Sequence, residues 1–241
     1  MKPASEQDRK IDDTSAQTFP VVGVGASGRF LTSIKGILQI SERSASNSQF
    51  EKNQALAAKA AVQVNNFNIL VDQLLDGTNI QAGELKLQKT YFSLLGLVQT
   101  CIQHATEHRE NVQLEVSGSA DIIIYADRDR LKQAVLNLIT NAIKYSPESD
   151  VFKIPVLERD GLASVHVTDF GIGVDRREVS LIFDRFYRIN EDNVNYPGLG
   201  LGLFIAAEII RRHKGEIGVE SEPGKGSTFW FSIPVKEDAN G

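Results

Sequence analysis

The chain has 241 residues, 41% hydrophobic and 24% charged, with a net charge of −5, the composition of a globular protein with room for one large or two modest domains. That balance, without any basic block, excludes a general nucleic-acid or anionic-membrane binder, and the single cysteine, Cys101, excludes an internal disulfide and a cysteine metal cluster. No apolar run approaches the roughly 18 residues of a membrane span, and the polar, charged start does not read as a secretory signal, so a cytoplasmic location is expected.

In chain order, residues 1–18 are expected to form a disordered tail. Over 30–43, Leu31, Ile34 and Leu38 recur at helical spacing, and a polar break follows at 44–48. A long helical stretch then runs to about Leu75. Its apolar positions, Ala57, Ala60, Val64, Phe67, Val71 and Leu74, step by alternating threes and fours. That is a heptad seam, which needs a facing helix. The two helices define a hairpin over 19–83. One hairpin has little core of its own, so two are expected to associate as a homodimeric four-helix bundle. Packing of the seam on the rest of the same chain is the alternative.

Residues 84–236 form the second expected domain, followed by a short tail, 237–241. A strand is predicted at 84–90, then a helix from an N-cap at Ser93 to about residue 109. Strands are predicted at 112–116 and 122–125. Asp127 caps a helix that runs through Tyr145 and stops at Ser146-Pro147. Further strands are predicted at 151–157 and 162–168, a helix at 200–212 closed by Gly215, and strands at 216–221 and 227–235 around the turn Glu222-Pro-Gly-Lys-Gly226. The expected class is α+β, with helices over one face of a mostly antiparallel sheet.

Three polar or glycine-rich blocks stand in order within this domain. In the first, Asn137, Asn141 and Lys144 share a helix face about 110° round from Leu131, Val135, Leu138, Ala142 and Tyr145. An Asn carbonyl suits magnesium, which takes few protein ligands, and a lysine suits phosphate; a solvated polar face is the alternative. In the second, Asp169-Phe-Gly171-Ile-Gly173, a carboxylate at a strand end can accept from an adenine amino group. The glycines would let backbone approach the base, whereas an ordinary turn is the plain alternative. His166, in the same strand, reads as structural. In the third, Gly198-Leu-Gly200-Leu201-Gly202-Leu203, a glycine turn opens a helix and offers amides to a phosphate chain; a hinge is the alternative. Between the last two, Phe183 and Phe186 would anchor a lid over 189–196, and Arg185 and Arg188 are candidate phosphate partners or salt-bridge residues. One such glycine run is weak; three blocks in order are specific.

These blocks resemble the N, G1, F and G2 boxes of the catalytic ATP-binding domain of sensor histidine kinases, over roughly residues 88–235. The resemblance implies an α/β sandwich of the Bergerat type, shared with gyrase and MutL-type ATPases, after the helical hairpin. It implies ATP and Mg2+ as ligands, with Asn141 as the metal ligand and Asn137 as a second polar N-box residue. Lys144 would contact phosphate, Tyr145 would lie along the base, and Asp169 would fix the adenine. Gly171, Gly173, Phe183, Phe186, Arg188, Gly198, Gly200, Leu201, Gly202 and Leu203 complete the ATP-binding set, and Asn137 and Lys144 are the catalytic candidates.

The hairpin resembles the dimerisation and phosphoacceptor region of the same kinases. Where the family carries a run of the kind His-Glu-Leu-Arg-Thr-Pro, this chain reads Gly25-Ala-Ser-Gly-Arg-Phe30. Gly25 stands at the acceptor position and has no side chain to phosphorylate. No histidine precedes His104, and His104 and His108 fall in the second domain. Gly23, Gly25 and Gly28 each cost a helix about 1 kcal/mol relative to Ala. The resemblance implies transfer of the γ-phosphoryl group in two-component signalling. A response-regulator receiver domain would be the onward partner, and a sensor domain would lie upstream, outside this chain. An ATP-binding dimeric regulator, or a donor in trans, is the second reading. A hydrolysing ATPase is disfavoured, because its general-base Glu is replaced by Asn137, a neutral amide.

Overall fold

The computed structural model describes residues 64, 86–107, 112–118, 122–189 and 199–236. The chain divides into two compact units, Met1–Leu75 and Asp76–Gly241. In the first, only Val64 is described; it is helical and exposed. The hairpin, the acceptor-position Gly25, both tails and His108 lie outside the described residues.

In the second unit the order is β1 (Lys89–Ser93), α1 (Leu94–Thr106), β2 (Gln113–Ser117), β3 (Ile123–Asp127), α2 (Arg128–Tyr145), β4 (Val151–Arg159), β5 (Leu162–Asp169), α3 (Gly202–Arg212), β6 (Glu216–Glu222) and β7 (Gly226–Pro234). The strands make two sheets. β1 and β3 pair antiparallel as a separate ribbon, and the other five run in the order β2-β4-β5-β7-β6. Only the β2–β4 pairing in that sheet is parallel. The first strand is displaced from its predicted place: 86–88 are irregular and the ladder starts at Lys89. Alternation alone misplaced it, because the pairing is set by β3 and not by the strand's own pattern.

Alternating residues of the large sheet point at the helices. Phe152, Ile154 and Val156 of β4, Ala163, Val165 and Val167 of β5, and Phe229, Phe231 and Ile233 of β7 are buried. Against them lie Leu131, Val135, Leu138, Ile139 and Ala142 of α2 and Ile205, Ala206, Ile209 and Ile210 of α3. Each large side chain so buried contributes about 1.5–3 kcal/mol. The other sheet face is polar or half-buried: Ser164, His166 and Thr168 on β5 face Ser232, Trp230 and Thr228 on β7. His166 stacks at 6.3 Å from the Trp230 ring, the structural role expected of it.

Two caps set the starts of α1 and α2. The Ser93 hydroxyl oxygen accepts from Gly96 N–H at 3.0 Å, and Asp127 Oδ1 accepts from Arg130 N–H at 3.1 Å. Asp127 Oδ2 also accepts from Gln88 N–H at 2.7 Å. Its own N–H donates to Nε2 of the buried His213 at 3.0 Å, so the His213 proton sits on Nδ1, facing the Ile209 carbonyl at 2.8 Å. One aspartate thereby joins the start of α2, the residue before β1 and the end of α3.

Candidate functional site

The α2 helix ends where Pro147 forces its predecessor out of helical geometry: Ser146 sits at φ −126°, ψ 64°. Ser146 is 2% exposed, and its hydroxyl donates to Asp169 Oδ1 at 3.1 Å. The same oxygen accepts from Gly171 N–H at 2.9 Å, an Asx turn, and from Ser227 N–H at 3.3 Å. Among the described residues no hydrogen bond reaches Oδ2. Burial raises the Asp169 carboxyl above its ordinary value, and the bonds from Gly171, Ser146 and Ser227 pull it back down. The result is a buried carboxylate fixed through one oxygen, with the other left to accept.

The loop after β5 is packed backbone to backbone. Ile172 N–H donates to the Tyr145 carbonyl at 3.2 Å, and Gly224 N–H to the Ile172 carbonyl at 2.8 Å. A Cβ at Gly171 would lie 2.1 Å from the Tyr145 carbonyl oxygen, and one at Gly173, whose φ is +67°, 2.2 Å from that of Glu222. Both glycines thus make room for the protein's own backbone, at the ends of α2 and β6.

Along α2, Asn137, Asn141, Lys144 and Tyr145 are half-buried. Asn137 Nδ2 donates to the Gly202 carbonyl at 3.0 Å, so this residue ties α2 to the first turn of α3. The Asn141 side chain makes no hydrogen bond among the described residues, which leaves its Oδ1 open. Lys144 Nζ lies 5.0 Å from the Tyr145 ring centroid. Burial, and then the positive charge of Arg188, lower its ammonium to about 8.

The predicted start of α3 at Gly200 is also corrected. Gly200 is left-handed, at φ +69°, and the helix begins at Gly202. A Cβ on Gly200 would meet the Tyr187 carbonyl at 2.5 Å, and the Gly200 carbonyl accepts from Phe186 N–H at 3.1 Å. Phe186 is itself left-handed, at φ +64°, a strained setting for a residue with a side chain. Leu201 is buried and provides no side-chain cap, and among the described residues the first amides of α3 carry no side-chain acceptor. Leu203 and Phe183 are half-buried. Arg185 lies over the Phe186 ring at 5.1 Å. Gly198 and the proposed lid over most of 189–196 lie outside the described residues. His104 is exposed on α1.

Sequence reasoning missed three contributors: Ser146, Ser227 and Ser221. The Ser221 hydroxyl oxygen accepts from Val174 N–H at 2.8 Å and stands 2.9 Å from that of Ser227. Serines beside turn residues carry no signal in sequence, since they are common in turns for local reasons.

An α/β sandwich with a buried strand-end carboxylate, a polar helix face and a glycine turn before an uncapped helix defines an ATPase domain of the Bergerat type. The known proteins agree. Residues 126–237 match the family described as histidine kinase-, DNA gyrase B- and HSP90-like ATPase. The chain is 32% identical over 174 residues to the sensor histidine kinase WalK of Bacillus subtilis (strain 168), covering 70% of this chain and 28% of WalK. It is 31% identical over 205 residues to the adaptive-response sensory kinase SasA of Synechococcus elongatus, covering 82% of this chain and 53% of SasA. Among solved structures, full-length ShkA in complex with AMPPNP matches with a TM-score of 0.67 at 25% identity, covering 90% of this chain and 46% of that one. The mycobacterial sensor histidine kinase MprB matches at 0.56 and 25%, covering 63% of this chain and 100% of that one. Residues 126–237 belong to the histidine kinase-, DNA gyrase B- and HSP90-like ATPase domains, and the curated relatives named are sensory kinases. The chain spans from about a quarter to about half the length of the two curated relatives named.

Proposed function

We propose that this chain is a histidine-kinase core of two-component signalling that binds Mg–ATP in the cleft between α2, the loop after β5 and the start of α3. The observation that carries this is Asp169: a buried carboxylate with one oxygen fixed by three donors and the other suited to an adenine amino group. Lys144 and Arg188 would meet the phosphate chain, together with amides of the glycine turn that opens α3. Tyr145 flanks the base. Asn141, whose side-chain carbonyl is open, would hold Mg2+, which would supply charge neutralisation at the phosphates. Asn137 positions the α3 turn. Gly171 and Gly173 shape the loop, and Phe183 and Phe186 seat one end of a lid over 189–196.

In the transfer a nitrogen lone pair attacks the γ-phosphorus. The bond to the β–γ bridging oxygen breaks, ADP leaves with that electron pair, and the imidazole proton goes to solvent. Domain boundaries follow the sequence reading, 19–83 for the hairpin and 84–236 for the catalytic domain. The hairpin forms the homodimer; Val64, on its seam, is helical and 44% exposed in the single chain, as a residue reserved for a partner helix would be. The onward acceptor is a response-regulator receiver domain. A sensor domain acts from outside this chain, and the kinase core works in the cytoplasm. Gly25 carries no acceptor, so the phosphorylated histidine belongs to another site or chain.

The test is incubation with Mg2+ and γ-labelled ATP, with and without a homologue that retains its acceptor histidine. Acid-labile, alkali-stable label on the homologue is expected. Bound ATP with no label on either chain would favour the second reading, an ATP-binding dimeric regulator, for which Gly25 and Ala26 speak.

A further inference from the structure

Of the groups that hold Asp169, two are backbone amides supplied by its own loop and by β7, and one is a side chain from a different element. That side chain is Ser146. It lies at the end of the helix that carries Asn137, Asn141 and Lys144, and it is almost fully buried. A serine closing a helix ordinarily turns its hydroxyl to water or to a nearby carbonyl. This one is aimed across to a residue 23 positions away. Pro147 removes the helical alternative, and the Tyr145 carbonyl is already taken by Ile172 N–H, so the turn is held from both sides.

A carboxylate has two oxygens with about four acceptor directions between them. The Gly171 and Ser227 amides come from the loop and from β7, and they leave the carboxylate free to swing towards α2. The Ser146 hydroxyl closes that third side. With three donors on Oδ1, the acceptor that remains for a ligand is Oδ2, in one orientation.

We propose that Ser146 is a positioning residue for nucleotide recognition: its hydroxyl locks the Asp169 carboxylate so that Oδ2 is presented to the 6-amino group of adenine. It also links the base-reading group to the helix that bears the phosphate and metal residues. The inference rests on the reading that Asp169 meets adenine, and the experiment separates the two.

Affinities are measured by calorimetry for three magnesium complexes: ATP, purine riboside triphosphate, which lacks the 6-amino group, and inorganic tripolyphosphate. The ratio of the first two reads the amino contact alone, and the third reads the phosphate end. For the native chain a ratio of about ten or more is expected, the value of one charge-assisted hydrogen bond. Ser146→Ala is expected to bring the ratio close to one while tripolyphosphate binding stays as in the native chain. Ser146→Thr, which keeps the hydroxyl, restores the ratio. Asp169→Asn abolishes it.

A native-like ratio in a folded Ser146→Ala protein, with Asp169→Asn still abolishing it, overturns the role of Ser146 and leaves the adenine reading intact. A native-like ratio in Asp169→Asn overturns the adenine reading and this inference together. Equal weakening of ATP and tripolyphosphate by Ser146→Ala marks general loosening of the helix end and also overturns the proposal. Should Ser146→Ala fail to fold, Ser146→Thr decides: a ratio below native despite an intact hydroxyl overturns it, and a native ratio supports it.

Discussion

The proposed base end and the proposed phosphate end of the nucleotide site present their polar groups in different ways. At the base end, Asp169 is buried and receives Ser146, Gly171 and Ser227 on one oxygen, and each donor is itself buried or part of a packed turn. At the phosphate end, the Asn141 side chain is half-buried and free of hydrogen bonds among the described residues, and Lys144 has its ammonium lowered to about 8 by burial and Arg188. Recognition of a flat, neutral base gains from a rigid acceptor, because nothing else fixes its orientation. A phosphate chain brings its own charge and metal, so the groups that meet it can settle when it arrives, and two crowded cations are relieved by the anion they bind.

That contrast breaks most severely at Gly171. Gly171→Ala would force a Cβ to within 2.1 Å of the Tyr145 carbonyl and 2.3 Å of the Ser146 hydroxyl. Overpacking of this kind costs about 1–3 kcal/mol; thermal melting is expected to fall by roughly 5 °C or more, with loss of nucleotide binding in the same sample. Unchanged melting would show that the seat is softer than its packing indicates.

Asp169→Asn is a smaller and cleaner change. The amide oxygen still accepts the three internal donors, but its NH2 then opposes the adenine amino group. Calorimetry should show ATP affinity lower by about ten- to a hundredfold, the equivalent of about 1.5–3 kcal/mol, with melting little altered.

The phosphate end is sharpened by pH. In the empty site Lys144 loses its proton at about 8, and a bound triphosphate raises that value again, so binding takes up a proton near pH 8. Affinity should fall up to about fivefold between pH 8 and 9, and the calorimetric enthalpy should depend on the buffer's heat of ionisation. Lys144→Arg, always charged, is expected to flatten the profile.

The smallest effect is on stability and lies away from the cleft. Burial lowers His213 below its ordinary value, so the folded protein keeps it neutral while the unfolded chain protonates first. Its contribution is fully present above about pH 6.5 and falls as pH drops below that towards the lower folded value. Denaturant titrations between pH 7.5 and 5 should show this slope, and His213→Gln should reduce it.

Much of the architecture is legible along the chain because it rests on local chemistry. Ser93 and Asp127 cap the helices they were predicted to cap, Pro147 stops α2, and alternation in β4, β5 and β7 places the buried face. The position of β1 was not legible, because its register is dictated by β3. Nor were the parallel β2–β4 pairing and the separation of the β1–β3 ribbon, which depend on long-range pairing with no pattern of their own. Within the site, the three blocks could be read as chemistry. The cross-links between them could not: Asn137 to Gly202, Ser146 to Asp169 and Phe186 to Gly200 each join residues that sequence separation alone does not relate.

Residue types and spacing therefore determined which groups stand as nucleotide-binding candidates: the Asn and Lys face of one helix, the aspartate at a strand end, and the glycines of two turns. They also determined what Gly25 lacks, since no fold can give glycine a nucleophile. Tertiary structure decided which oxygen of Asp169 is left to accept, that Asn137 serves as a strut, and that Gly171 and Gly173 yield to protein backbone. Those outcomes depend on distances between elements far apart in the chain, which short-range periodicity does not encode.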